Sequence, residues 1–159
     1  MSDRSDIRID KDGQWSYRGM EMTRRDIVGL FYRHLKRNES GGYCIEIGPQ
    51  RCGVEVEDTA YVVWAVHWVE STGTADEGAW LLLSDDSLEP LDPGTLRIGA
   101  DGVPYCRVKN RSFVARFSRS GYYQLAERIQ HDSLRDAYFI VLQGTRHYLA
   151  GHSNLESEI

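Results

Sequence analysis

The sequence predicts an α+β protein with two similar halves, each a hairpin, a helix and two strands, in a mainly antiparallel sheet with two main helices. One observation is a repeat, since the segment Ile7–Ile9 returns as Leu96–Ile98, 89 residues further along. Later the offset becomes 95 residues, because Tyr43–Ile47 returns as Tyr138–Leu142. The other observation is that apolar residues alternate in most segments and follow helical spacing in two. A repeated unit of this kind stacks on its copy, because neither copy buries enough apolar surface alone.

The predicted repeats share one core. The chain has 159 residues, of which 41% are hydrophobic, enough to bury a core without disulfides or metal. Pro90 and Pro93 mark the segment Ser87–Gly94 as the boundary between the copies. We therefore expect a first structural repeat with a central long hairpin over residues 1–94, a second over residues 95–159, and co-folding of both.

The elements of the first half follow from local patterns. Alternation on both sides of the Asp12-Gly13 turn predicts a hairpin over residues 7–17. Thr23 is the expected N-cap of a helix that runs to about Lys36. The apolar face predicted for this helix consists of Ile27, Leu30, Phe31 and Leu35. Strands are predicted at 43–47, 54–56, 61–71 and 80–84, of which 61–71 has the composition of a central strand.

The second half is predicted to repeat this order. A hairpin with its turn at Asp101-Gly102 spans residues 96–108, and an additional strand follows at 113–117. Ser118 or Ser120 is expected to cap a second helix that ends near Gln130. Short strands at 138–142 and 147–149 complete the predicted half.

Composition excludes several classes of function. The net charge is −5 with both signs mixed along the chain, so nucleic-acid binding through a general basic surface is not expected. Three cysteines at irregular spacing do not form a disulfide framework, and the polar N-terminus lacks the pattern of a signal peptide. No apolar run is long enough to span a membrane. We therefore expect a cytoplasmic protein, with no cofactor and no metal, since the usual motifs for them are absent.

Short elements in both predicted halves follow the pattern of a known family. They are Asp12–Trp15, Gly19, Arg24, Val28–Phe31, Val54–Asp58, Pro104-Tyr105, Arg107, Ala115–Phe117 and Arg119. These elements resemble a bacterial family, the domain of unknown function family 1285 (DUF1285). The resemblance covers most of residues 7–129 and implies a fold built from repeated structural motifs and a role in signalling or regulation. It carries over no catalytic residue. The chain departs from the family pattern at Thr59-Ala60-Tyr61, where a small residue, proline and an aromatic are expected.

Five residues are candidates for a ligand site. Arg24 and Arg119 occupy matching positions near two predicted helix starts, where they could bind a carboxylate or phosphate in one groove. Glu57 and Asp58 end a predicted strand and are either part of that site or salt-bridge partners of the arginines. Trp15 belongs either to a recognition surface or to the core.

These residues lead to two hypotheses of function. The first is a non-enzymatic binding or regulatory module that recognises a protein partner or a small anionic ligand in a crevice of mixed polarity. The alternative is a hydrolase or transferase that uses the arginines with Glu55, Glu57 and Asp58. A structural subunit of a homo-oligomer is a third interpretation.

Overall fold

The computed structural model describes residues 5–70 and 78–149. The chain divides into two compact units, Met1–Ala60 and Tyr61–Ile159. The repeat boundary predicted between residues 94 and 95 stays a prediction.

In the described residues the helices are α1 (Arg25–Arg33), a short 3-10 helix (Pro93–Thr95) and α2 (Arg119–Ala126). The strands are β1 (Ile7–Ile9), β2 (Trp15–Tyr17), β3 (Met20–Glu21), β4 (Leu35–Arg37), β5 (Tyr43–Ile47), β6 (Gln50–Val56), β7 (Tyr61–Val69), β8 (Gly78–Leu83), β9 (Leu88–Pro90), β10 (Arg97–Ile98), β11 (Pro104–Val108), β12 (Phe113–Phe117), β13 (Gln130–Asp132), β14 (Ala137–Leu142) and β15 (Thr145–Tyr148).

The first unit is organised around one parallel strand pair. Its six strands lie in the order β3-β2-β1-β6-β5-β4. Ile7 of β1 faces Tyr17 across an antiparallel pair and Val54 across a parallel pair. The chain runs outward from β1 to β3, crosses through α1, and returns inward from β4 to β6. A crossover is required because a tight hairpin cannot join parallel strands.

The second unit repeats this strand order. Its larger sheet, read from the other edge, is β9-β8-β7-β12-β11-β10. The central pair β7 and β12 is parallel, with Tyr61 opposite Ala115, and the remaining pairs are antiparallel. The crossover from β9 to β10 contains the short 3-10 helix, where the first unit has α1. The predicted α+β class with two similar halves is confirmed.

The residue correspondence that the offsets predict is nevertheless wrong. Strand β1 is central in its sheet whereas β10 is an edge strand, and α1 joins two strands of one sheet whereas α2 follows the last strand of the other. What the two segments share is a turn. Gly13 donates its N–H to Asp10 O at 3.1 Å, and Gly102 donates to Gly99 O at 2.9 Å. Both glycines have positive φ, which a tight turn of this kind requires.

Helix α1 presents a different face from the predicted one. Val28 and Tyr32 are its buried residues, while Leu30 is 36% exposed. The helix ends at Arg33, and Leu35 already belongs to β4. Because the chain leaves the helix early, Leu35 is buried as a strand residue and does not extend the helical stripe. Thr23 is not the N-cap: Arg24 holds that position without a side-chain capping bond.

Helix α2 agrees with its prediction at the start and is shorter at the end. Ser118 caps it, and its hydroxyl accepts the Gly121 N–H at 3.1 Å. A Cβ on Gly121 would lie 2.7 Å from Val63 O, so only glycine allows this approach to β7. The helix ends at Ala126, and β13 begins at Gln130, the residue near which the helix was predicted to end.

Strands β5, β7, β8, β12 and β14 lie where alternation predicts them, whereas β3, β4, β9 and β13 were not predicted as strands. Strand β7 ends at Val69, and Ser71 of the predicted strand lies outside the described residues. Strands β13, β14 and β15 form a separate antiparallel sheet in which Ile140 is fully buried. Among the described helices, neither the length nor the apolar character needed to cross a membrane is found.

Candidate anion-binding site

Arg24 forms a local ion pair at the start of α1. Its Nη2 lies 2.6 Å from Asp26 Oδ2, and its Nε donates to Asp26 Oδ1 at 3.2 Å. These hydrogen bonds raise the pKa of Arg24 and lower the pKa of Asp26. Both side chains are mostly exposed, so the pair contributes little to folding.

Glu57 contacts residues beside it in the sheet and does not pair with Arg24 at the start of α1. Its Oε2 accepts the Lys11 N–H at 2.6 Å, and its Oε1 lies 3.5 Å from Arg8 Nη2. The carboxylate therefore ties the β1–β2 turn to the end of β6. Asp58 follows it in an exposed position, and Glu55 is exposed on β6.

Trp15 lies in the core of the first unit. It is 1% exposed, and its ring centroid lies 4.9 Å from that of Tyr32 and 6.0 Å from that of Phe31. A residue this deeply buried cannot form part of a recognition surface in the folded unit. The core alternative is therefore the one that describes Trp15.

Arg119 occupies the first turn of α2 and is exposed. Within the described parts of the chain its side chain makes neither a hydrogen bond nor an ion pair. Arg24 belongs to the first unit and Arg119 to the second. A groove that both arginines line stays a prediction.

A different set of basic residues surrounds a groove of the second unit, at the turn from β11 to β12. Its volume is about 420 Å³. Three cationic and two anionic side chains border it, so the lining has a net positive charge. The lining residues are Glu89, Pro90, Asp92, Arg107, Lys109, Asn110 and Arg111.

The turn itself has an uncommon backbone. Lys109, Asn110 and Arg111 have φ values of 55°, 56° and 64°, so three successive residues other than glycine are left-handed. Each such residue is uncommon, and asparagine tolerates the conformation best. Backbone strain of this kind persists only where the surroundings hold it, and it concentrates at functional sites.

Lys109 holds the first residue of the turn. Its Nζ lies 2.8 Å from Asp85 Oδ2 and donates to Ser87 Oγ at 2.8 Å, while its N–H donates to both oxygens of Glu89 at 3.2 Å. Burial disfavours the ionised form of Asp85, but the hydrogen bonds from Lys109 and Ser87 outweigh it and lower the pKa of Asp85. The Lys109 ammonium is therefore committed to the fold.

Arg107 and Arg111 are the cations with free donors at this groove. Arg111 Nε donates to Asp92 Oδ2 at 2.7 Å, which leaves the two terminal nitrogens of its guanidinium outside this bond. Arg107 Nη1 donates to Arg111 O at 3.3 Å. Within the described residues Arg107 has no carboxylate partner. Two guanidinium groups beside one groove suit a carboxylate or phosphate, which accepts paired N–H bonds.

The sequence contains a pattern of basic residues that indicates this groove, although the match between the two predicted repeats does not include it. Arg107, Lys109 and Arg111 recur at every second position beside a hairpin turn. Their acidic neighbours come from β9 and the segment after it, which are distant from the turn in the sequence and meet it only in the folded chain. Among residues 5–70 and 78–149, no group of three His, Cys, Asp or Glu side chains could hold a metal ion.

Comparison with known proteins confirms the DUF1285 resemblance. Residues 1–59 match the family model for the N-terminal domain of DUF1285, a domain of unknown function. A crystal structure of a DUF1285 family protein from Silicibacter pomeroyi DSS-3 has a TM-score of 0.73 and 22% identity, over 96% of this chain and 83% of that one. Another, from Shewanella baltica OS155, has a TM-score of 0.64 and 18% identity, over 79% of this chain and 94% of that one. At these identities the two structures establish the fold alone. No curated protein matches the sequence.

Proposed function

For this chain, whose residues 1–59 are identified as a DUF1285 N-terminal domain, we propose a role as a small non-enzymatic binding module. Its second unit recognises a small anion, a carboxylate or a phosphate, in the groove at the β11–β12 turn. The left-handed conformation of three successive residues carries this proposal, because it presents Arg111 beside Arg107 at the groove. A strained segment that surrounding contacts hold in place is typical of a preorganised site.

The charges at the groove support an anionic ligand in preference to a cationic one. Both carboxylates of the lining are engaged, Glu89 with the Lys109 N–H and Asp92 with Arg111. The guanidinium of Arg107 makes one long hydrogen bond to a backbone carbonyl and keeps its other donors. An anion that enters the groove therefore meets donors without displacing a carboxylate from Arg107.

The proposal includes a regulatory role in a reducing, cytoplasmic compartment. All three cysteines, Cys44, Cys52 and Cys106, are free thiols, which fits such a compartment. A ligand that binds only the folded state stabilises that state, so anion binding would raise the free energy of unfolding of this protein.

A thermal-shift screen tests this proposal. Phosphate, sulfate, di- and tricarboxylates and nucleotides are added at constant ionic strength, and at least one is expected to raise the melting temperature. Arg107→Ala should weaken binding of that anion about 10- to 100-fold, as expected for the loss of a hydrogen bond from a charged group. Arg107→Lys should restore only part of the affinity, since lysine keeps the charge and loses the two-pronged geometry.

The same screen includes Arg119→Ala and Arg24→Ala as matched exposed arginines. If the groove binds the anion, both variants should respond like the wild type. A response that Arg119→Ala abolishes and Arg107→Ala leaves intact would favour the site predicted from the sequence. The absence of any anion-induced shift in the wild type would rule out both sites.

A further inference from the structure

The groove at the β11–β12 turn contains two charged side chains that no opposite charge neutralises. Its lining includes three cations and two anions. The Lys109 Nζ and the Arg111 Nε lie 2.8 Å and 2.7 Å from an aspartate oxygen each, so both of these cations are paired. After this pairing one cation, Arg107, and one anion, Glu89, remain in the lining.

Glu89 keeps both its charge and free acceptor positions. Its two oxygens accept the backbone N–H of Lys109 at 3.2 Å, a dipole that does not neutralise the carboxylate. Within residues 5–70 and 78–149 the Glu89 side chain forms no ion pair. A carboxylate has about four lone-pair positions, so Glu89 can accept further hydrogen bonds.

Arg107 supplies the opposite charge in the same groove. It makes one hydrogen bond, from its Nη1 to Arg111 O at 3.3 Å, and a guanidinium has five N–H donors. Arg107 and Glu89 are both half-buried, and they do not form an ion pair with each other. Partial burial weakens the hydration of both charges, so each attracts an opposite charge more strongly than an exposed group would.

We propose that this groove binds a small amino acid, a molecule that has one carboxylate and one ammonium group. This inference rests on the proposed function, because the carboxylate of the amino acid is the anion that Arg107 binds. The ammonium group of the same molecule donates to Glu89. Each end of such a zwitterion meets an opposite charge, whereas a simple carboxylate leaves Glu89 without a cation. The groove, at about 420 Å³, has room for a ligand of this size.

Three pairs of probes with equal chain lengths test the second charge. They are glycine and acetate, β-alanine and propionate, and γ-aminobutyrate and butyrate. Each probe is titrated into the intact chain by isothermal titration calorimetry at constant ionic strength and at about pH 7, where the carboxylate and the amine are both ionised. At least one amino acid should bind about tenfold more tightly than the acid of the same length, because it adds a hydrogen bond between charged groups.

Matched variants test whether Glu89 recognises the ammonium group. Glu89→Gln keeps an oxygen that accepts the Lys109 N–H and removes the charge, so it should weaken the amino acid about tenfold and not weaken the acid. Asp92→Asn is the control, because it removes an equal charge that Arg111 already neutralises. This control should leave the ratio of the two affinities within about threefold of the wild-type ratio. Arg107→Ala should weaken both ligands.

Three outcomes would overturn the inference. If every acid binds the wild type as tightly as its amino acid, the groove recognises the carboxylate alone and the proposed function stands without this extension. If Glu89→Gln and Asp92→Asn reduce the preference for the amino acid equally, Glu89 does not recognise the ammonium group. If none of the six probes binds, the groove takes no amino acid, and the phosphate, sulfate and nucleotide additions of the thermal-shift screen decide the proposed function.

Discussion

At Trp15 the first unit buries an indole whose N–H group has no hydrogen-bond partner among the described residues. The ring supplies a large apolar surface to the core and packs against Tyr32. A buried donor without a partner loses its hydrogen bonds to water on folding and gains none in return. Trp15 therefore combines a large favourable packing contribution with a smaller unfavourable polar one.

This combination predicts unequal costs for two substitutions. Trp15→Ala should destabilise the protein by about 3–5 kcal/mol, because it leaves a large cavity. Trp15→Phe should cost clearly less, since it keeps an aromatic ring and removes the unpaired donor. Urea unfolding of both variants checks the order. Equal losses would show that the N–H group has a partner after all.

Asp85 makes the stability depend on pH. Its folded pKa is lowered by Lys109 and Ser87 against the effect of burial, so its ionised form stabilises the fold. This contribution is present above the unfolded pKa of about 3.9 and is lost as the pH falls through the lower folded pKa. Asp85→Asn should therefore cost about 1–3 kcal/mol at pH 7 and flatten the decline in stability as the pH falls below about 4.

The measurement is urea unfolding at several pH values. Asp6→Asn serves as the control, because Asp6 pairs with Arg18 in an exposed ion pair. This control should change stability by less than about 1 kcal/mol. A pH profile of Asp85→Asn that parallels the wild type would contradict the role given to Asp85.

Among the secondary-structure elements, each of the two α-helices packs through two buried residues. Helix α1 buries Val28 and Tyr32, one turn apart, whereas α2 buries Gly121 and Leu125 at the same spacing. Each stripe has two members because both helices are short. Short helices gain most of their stability from such packing and little from propensity.

A leucine-to-alanine substitution should have a different effect in each helix, because the two leucines differ in burial. Leu125 is fully buried, so Leu125→Ala should cost about 2–5 kcal/mol. Leu30 is 36% exposed, so Leu30→Ala should cost less than about 1 kcal/mol. Denaturant unfolding of both variants at one pH measures the difference. A larger loss for Leu30→Ala would restore the helix face predicted from the sequence.

At the scale of the whole molecule, each unit contains a six-stranded sheet with the same strand order and a parallel pair at its centre. The parallel pairs join segments that are distant in the chain, such as Ile7 with Val54 and Tyr61 with Ala115. Such non-local contacts form slowly during folding, because the chain loses the entropy of loop closure before the contacts between the strands stabilise it.

The reaction rates of the three cysteine thiols measure whether each unit is folded. In the native protein Cys52 should react rapidly, while Cys44 and Cys106 should be protected. Burial, with the negative charges of Glu89 and Asp92, raises the pKa of the Cys106 thiol and slows it further. Titration with a thiol reagent should count one fast thiol in buffer and three in denaturant. A stoichiometric disulfide would contradict this result.

Local chemistry made much of the architecture predictable. The Asp12-Gly13 and Asp101-Gly102 turns follow from residue type, and the strand at 113–117 follows from alternation. The serine cap of α2 follows from residue type, although the sequence leaves Ser118 and Ser120 as alternatives and the structure selects Ser118. The ion pair of Arg24 was not predictable in detail, because Asp26, Glu57 and Asp58 are all acidic residues that an arginine could pair with.

The α+β class, the turns, most strands and the DUF1285 resemblance could be predicted from the sequence, because each depends on residues within a few positions of one another. The parallel pairs, the buried face of α1 and the groove at the β11–β12 turn emerge only from the folded chain. Glu89 accepts the Lys109 N–H and Asp92 pairs with Arg111 because the folded chain places the β11–β12 turn beside β9 and the segment after it. Periodicity cannot encode such an arrangement, since it depends on which strands pair across long loops and how their registers align.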